Sequence, residues 1–227
     1  MLLDPTIAHV SFDAWNTVLS PNPIYADRRS ELLAHLYGLS VTDACCVYTS
    51  TKKHFDGLAE TSGAGFSVQY VCDTLDHTLA GHTRSGHATT LRTSLEQAFF
   101  ENPPIVLPEL VQALERITRT GRTIGILSNT NFISGQVLRA AIFDKLDLPF
   151  TTLLFSDEHG MSKPNPAFYA KMATAAQAEN KGVTGPANIL HIGDMIRTDG
   201  AAPAPMQHLI IENPAHLVAK LKETCHA

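Results

Sequence analysis

The stretch Ile7-Ala-His-Val-Ser-Phe-Asp13 is a short, mostly apolar run that stops on an acid. A run of this length bounded by polar residues reads as a strand buried on both faces, Ile7 to Phe12. In open parallel sheets ligands bind beyond the carboxyl ends of the strands, which is where Asp13 would stand. The fold then turns on whether other strands of the same kind exist, and on which residues end them.

Downstream of Leu107 the chain alternates helix and strand. Leu110, Leu114 and Ile117 share one helical stripe that ends near Gly121, and Thr123 to Leu127 is the next buried strand. Val137 to Leu146 is helical, Thr151 to Phe155 a strand, and Pro166 to Ala178 a helix. Ile189 to Ile192 and Leu209 to Ile211 complete the strands, before a last helix from about Ala215 to Glu223. This alternation predicts an α/β fold, with a doubly wound parallel sheet of Rossmann-like type as core.

Between the first strand and Leu107 the chain changes character. Pro21 and Pro23 are followed by Leu32, Leu33, Leu36 and Leu39 on one helical stripe. Further helices are expected over Asp43 to Leu58, Val68 to Leu79 and Thr89 to Phe100, until Asn102-Pro-Pro104 breaks the pattern. The expected domains are therefore residues 1–19 with 104–227 as the α/β core, and 20–103 as an inserted all-helical cap.

The 227 residues suffice for such a core plus insertion. A net charge of −5 offers no basic field to nucleic acid or to an anionic membrane. No apolar run reaches the ~18 residues of a spanning helix, and the N-terminus lacks a signal-peptide pattern. A cytoplasmic location is the resulting expectation. Cys45, Cys46, Cys72 and Cys225 have no metal-site spacing and read as reduced, buried thiols. His77, His82 and His87 are spaced by five, which points successive members of a helix apart, so they are set aside as a metal site. Oligomeric state stays open.

Polar residues standing just beyond the strands are the candidates for chemistry: Asp13, Ser128 with Asn129, and Asp194 after Gly193. Lys163 lies in a loop immediately before a helix. Each has a plainer reading as well: an Asp after a strand is often a turn residue. Ser128-Asn129 reads equally as a helix cap, Lys163 as a solvated lysine, and Asp199 as a cap or a brace for Lys163. The joint pattern carries the case.

That pattern resembles the haloacid dehalogenase (HAD) superfamily. Ser11-Phe-Asp-Ala-Trp-Asn-Thr-Val-Leu19 is similar to its first signature, Ile126-Leu-Ser-Asn129 to its second and Ser162-Lys-Pro-Asn-Pro166 to its third. His191-Ile-Gly-Asp-Met-Ile-Arg-Thr-Asp199 is similar to its fourth, and the insertion lies where that family carries helical caps. The resemblance implies Asp13 as covalent nucleophile, Thr17 and Ser128, with Asn129 beside it, as groups holding the transferred group, and Lys163 as the cation beside the nucleophile. It also implies a Mg²⁺ site formed by Asp13, the backbone carbonyl of Trp15, Asp194 and Asp199. The implied partner is a small anionic substrate.

One departure matters. Most phosphatases of the superfamily carry a second Asp two residues after the nucleophile, where this chain has Trp15. General acid–base help of that kind is worth about 10²–10⁴ in rate, and an indole cannot supply it. An aromatic residue there, together with Tyr169, resembles the metal-independent 2-haloacid dehalogenases, whereas Asp194 and Asp199 keep the acidic form of the fourth signature. The leading expectation is a Mg²⁺-dependent phosphohydrolase. Alternatives are a 2-haloacid dehalogenase, with Arg28 or Arg29 available to a halide, and a phosphate-binding protein without turnover. Phosphonate cleavage through Lys52 or Lys53 is weaker still.

Overall fold

The computed structural model describes residues 4–83 and 88–224, without the side chains of 82, 83, 88, 89, 223 and 224. His87 and Cys225 lie outside the described residues, as does the side chain of His82. Five parallel strands form one sheet: β1 (His9–Phe12), β2 (Thr123–Ser128), β3 (Phe150–Phe155), β4 (Ile189–Gly193) and β5 (Gln207–Ile210). Their order is β3-β2-β1-β4-β5, so the chain leaves β1 in one direction for β2 and β3, and β4 and β5 lie on its other side. Every residue of β1 is buried, as expected for the middle of a doubly wound sheet. The register pairs Phe12 with Ile126 on one flank and with Ile192 on the other, so β1 ends one residue before β4 and two before β2. The expected α/β fold with its helical insertion is therefore present.

The helices are α1 (Pro23–Tyr37), α2 (Val41–Ser62), α3 (Val68–Thr83), α4 (Ala88–Glu101), α5 (Pro108–Arg119), α6 (Gly135–Ala141), α7 (Ser156–His159), α8 (Pro166–Glu179) and α9 (Pro214–Thr224). Helix α5 buries Leu110, Ala113, Leu114 and Ile117, the i, i+3, i+4, i+7 stripe of a helix lying on a sheet. It joins Val10, Phe12, Leu190 and Leu217 in the main apolar cluster. On the opposite face, Phe168, Tyr169 and Met172 of α8 pack with Leu127 and Ile189. Helices α1 to α4 bury a separate cluster of their own, including Leu33, Tyr37, Phe55, Leu75 and Leu95. The two bodies exchange one aromatic each. Phe132, from the loop after β2, sits in the cluster of α1 to α4, and Phe99 of α4 sits in the cluster of the sheet.

Several local expectations change. The single helix expected over Val137 to Leu146 breaks at Ile142, whose φ of −132° is not helical, and a 3₁₀ turn Phe143–Lys145 comes next. The first strand starts at His9, not Ile7. Strand β5 begins two residues early because Gln207 and His208 face solvent on an edge strand. Cys45, Cys46 and Cys72 are free, but Cys46 is exposed, so burial does not hold for every thiol. Among the described residues no helix is long and apolar enough to cross a membrane.

The face of the sheet under α8 carries buried polar side chains. His9 Nδ1 lies 2.9 Å from Thr123 Oγ1, and His191 Nδ1 lies 3.1 Å from Ser11 Oγ. Burial, with a smaller push from His191, lowers the His9 imidazole from 6.5 to about 4. A histidine depressed in the folded state stabilises above its unfolded value and loses that contribution as the unfolded chain takes up protons first. Stability should therefore fall between about pH 6.5 and about pH 4, with His9 accounting for about 2 kcal/mol of the loss between pH ~7 and pH ~4.5. Urea unfolding of wild type and His9→Gln at those two pH values checks this: the variant should lose less stability on acidification, and an equal loss in both chains would contradict a neutral buried imidazole.

Candidate active site

Because β1, β2 and β4 are adjacent, parallel and end within two residues of one another in register, the residues after them meet. Asp13 follows β1, and its N–H donates to the carbonyl of Ile192 at 2.8 Å, which fixes the start of the loop. Asn129 follows β2 and Asp194 follows β4. Lys163 reaches the same place from the loop before α8, where Asn165 caps the helix and Pro166 occupies its first turn.

Lys163 is the centre of the arrangement. Its ammonium is almost fully buried and donates to Asp13 Oδ1 at 2.7 Å and to Asp199 Oδ1 at 2.5 Å. The loop that carries it is held at the backbone by Asn129, whose Oδ1 accepts from Lys163 N–H at 2.7 Å while its Nδ2 donates to the Lys163 carbonyl at 2.9 Å. Asn129 thus positions Lys163 as well as lining the cavity. The loop is also tied to the end of α2: Ser162 N–H donates to the Gly63 carbonyl, and Ser162 Oγ to that of Ala64. Gly63 ends α2 with a φ of 67°, and a Cβ there would lie 2.8 Å from Asn165 Cβ. Both the left-handed backbone and the close approach require glycine.

Asp199 is fully engaged. Oδ1 accepts from Lys163 and lies 3.0 Å from His191 Nε2, and Oδ2 accepts from Met195 N–H at 2.9 Å. Gly193 makes room for it, since a Cβ there would fall 2.1 Å from Asp199 Cγ. Asp199 therefore acts as the brace of Lys163. Asp13 has one oxygen on Lys163, and Asp194 accepts from Asn16 Nδ2 at 3.1 Å through Oδ2. Asn16 has a φ of 54°, a left-handed conformation that Asn tolerates better than most side chains and that often marks functional turns.

The charges explain the protonation pattern. Burial pushes the Asp13 carboxyl up to about 6, against the pull of Lys163 and with a further upward push from Asp199. Burial raises Asp194 as well. Burial alone would raise Asp199, yet Lys163 and the His191 hydrogen bond hold it well below the usual range. Lys163, which burial alone would lower, is held high by Asp13 and Asp199. Three carboxylates face one ammonium, an excess of negative charge that a divalent cation would balance. Oxygens of Asp13, Asp194 and Asp199 lie within 4.8 Å of one another. With Asp199 engaged, one oxygen each of Asp13 and Asp194 accepts no side-chain hydrogen bond among the described residues, and an all-oxygen donor set suits Mg²⁺.

A cavity of about 210 Å³ opens over this group, lined by Asp13, Trp15, Asn129, Lys163 and Asp194 among others. Ser128 and Thr17 are fully buried and do not line it. Ser128 Oγ donates to the Asn129 carbonyl at 3.3 Å, and Thr17 Oγ1 is buried with no partner among the described residues. Tyr169 donates its hydroxyl to the Thr198 carbonyl and props the turn that carries Asp199. Lys52 lines the cavity and pairs with Asp56 at 2.5 Å, whereas Lys53 does not reach it. Arg28 pairs with Glu31 on the surface. His191 carries a part of the arrangement that the sequence pattern does not assign, and a histidine inside a continuous apolar strand is the available signal for it. Arg29, which the sequence offers to a halide, does not line this cavity.

Among solved structures, YfnB of Bacillus subtilis, assigned as a HAD-hydrolase and bound to magnesium, superposes with a TM-score of 0.72 at 14% identity, over 95% of this chain and 99% of that one. A defluorinating L-2-haloacid dehalogenase gives 0.62 at 16% identity, over 97% and 98%. A predicted phosphoglycolate phosphatase of Haemophilus somnus gives 0.59 at 15% identity, over 96% and 98%. These likenesses speak for the fold. No curated protein matches the sequence. The family model of haloacid dehalogenase-like hydrolases matches residues 7–205. With that match across most of its length, the chain belongs to the haloacid dehalogenase-like hydrolase family.

Proposed function

We propose that the protein is a Mg²⁺-dependent phosphohydrolase with Asp13 as nucleophile, acting on small phosphorylated molecules with good leaving groups. The observation that carries this reading is the excess of carboxylate around Asp13 and Asp194, which a metal-independent site has no reason to gather. Residues 20–103 serve as the cap and residues 1–19 with 104–227 as the catalytic core.

Mg²⁺ held by Asp13, Asp194 and the Trp15 carbonyl would neutralise the phosphoryl group and relieve the repulsion between it and the carboxylates. The chain's own residues do the rest. Asp13 attacks phosphorus with one carboxylate oxygen, and the ester oxygen leaves with its electron pair. Lys163 keeps the carboxylate ionised and oriented, and its charge offsets that of the incoming anion. Water then cleaves the aspartyl phosphate, returning Asp13 and releasing phosphate. Asp199 and His191 hold Lys163 in line, and the cap excludes bulk water.

Trp15 sets the leaving-group requirement. It offers no proton to a departing alkoxide, so esters of poorly acidic alcohols should react slowly. The second reading, 2-haloacid dehalogenation, is favoured by the same residue, because halide leaves without a proton.

Three outcomes are expected. With Mg²⁺ present, aryl and acyl phosphates should be turned over about 10²–10⁴ times faster than simple alkyl phosphates, and EDTA should stop all of it. Asp13→Asn should reduce turnover at least about a thousandfold with an unchanged circular dichroism spectrum. Equal rates on alkyl phosphates would show that another acid exists, and chloride release from 2-chloropropionate in EDTA would establish the dehalogenase reading instead. Gly193→Ala should displace Asp199 and with it Lys163, lowering kcat/KM about a hundredfold. Activity within a factor of about two of wild type would remove Asp199 from the mechanism.

A further inference from the structure

A second cavity, of about 280 Å³, adjoins the first between core and cap. Trp15, Asn16, Lys52, Asp56 and Asn129 line both, so a molecule that reacts at Asp13 can extend from one into the other. The second chamber is walled by aromatic rings. Phe99 meets Trp15 edge-on at 6.3 Å and Tyr25 at 5.4 Å, and Tyr48 stacks on Phe132 at 4.4 Å. Its volume exceeds the roughly 150 Å³ that accommodates benzene in an apolar protein cavity.

Among the described residues, one cation in this chamber has no counter-ion. Lys52 is neutralised by Asp56, whose other oxygen accepts from Asn131 at 2.8 Å. Arg29 of α1 is different. Its guanidinium lies 3.8 Å from the centroid of the Tyr48 ring and 5.5 Å from that of Tyr25, no carboxylate pairs with it among the described residues, and its Nε is buried without a hydrogen-bond partner. A guanidinium without a counter-ion is shaped to take a planar anion, and Arg29 lines the chamber. The aromatic walls suit a flat apolar body between that anion and the reacting end.

We propose that the substrate is an aryl compound bearing a carboxylate, with its reacting group at Asp13, its ring among Trp15, Tyr25 and Phe99, and its carboxylate on Arg29. This rests on the proposed phosphohydrolase site at Asp13 for the reacting group. It makes Arg29 the residue that selects the leaving group.

The test uses the sole tryptophan, Trp15, which lines both chambers. Its fluorescence is followed while the full chain is titrated with benzoate and, separately, with phenol. Wild type should bind benzoate on the order of tenfold tighter or more. Arg29→Gln should bring the ratio close to one, and Arg29→Lys should keep part of it. In parallel, KM is compared for 4-carboxyphenyl phosphate and phenyl phosphate, where the same ratio should appear and disappear. No preference for benzoate in wild type, or a preference that survives in Arg29→Gln, overturns the proposal. If Arg29 only cements Tyr25 to Tyr48, its replacement lowers the melting temperature and wild type shows no preference for benzoate, so the two roles separate even where Arg29→Gln folds poorly. Benzoate selectivity without hydrolysis of either ester would sink the phosphohydrolase reading and leave this one standing. Hydrolysis of both esters with equal KM would do the reverse.

Discussion

The buried ammonium of Lys163, held between Asp13 and Asp199, is the interaction on which the rest of the site depends. Taking three charges out of water costs several kcal/mol per ion before their attraction returns any of it. The fold therefore supplies everything that keeps the charges satisfied. Asn129 fixes the lysine's backbone on both sides, His191 and Met195 N–H complete the shell of Asp199, and Gly193 lets that carboxylate approach the strand end. His191 and Gly193 line neither cavity. They act by leaving Lys163 one geometry.

The same lysine loop joins the two halves of the molecule. Ser162 donates to carbonyls at the end of α2, Asn165 Nδ2 donates to the Gly63 carbonyl, and an isolated bridge pairs Ala64 with Met161. A Cβ on Gly65 would fall 2.2 Å from the Ser156 carbonyl oxygen, so the segment passes as close to the core as backbone permits. Helix α2 is thereby bonded directly to the loop that carries Lys163. Phe132 and Phe99, each packed in the other body's cluster, supply a second apolar tie on the far side of the cavities.

The sequence makes the frame legible because the frame rests on local rules. Continuous apolar runs mark β1, β2 and β4, and the polar residues at their carboxyl ends are Asp13, Asn129 and Asp194. Less of the surroundings of these residues is readable. Asp199 stays open between metal ligand and brace in the sequence because the choice depends on Lys163, His191 and Met195 N–H converging through space from three segments. His191 sits in an apolar strand and looks like filler until its partner is seen. Helix α7 is four residues long, too short to show a period, yet Asp157 there accepts from Thr130 Oγ1 and ties the loop after β2 to the end of β3. Arg29 is one of two adjacent arginines. Only the packing of α1 against Tyr48 turns it inward while Arg28 faces Glu31 at the surface.

Trp15 links the two proposals on physical grounds. Replacing an acid by an indole removes a proton donor from one side of Asp13 and adds an apolar wall on the same side. A leaving group that departs without a proton must carry its negative charge comfortably, and delocalisation over a ring is the common chemical way to do so. Such a group is also flat, apolar and large, the shape an aromatic chamber accepts and a hydrated alcohol pocket does not. A carboxylate on that ring would otherwise repel Asp13, Asp194 and Asp199, and Arg29 lies on the cap side of the second chamber, where an anion can be taken without approaching them. On the proposed reading the missing acid and the aromatic chamber select the same molecule, one that both departs without a proton and fills a flat apolar space.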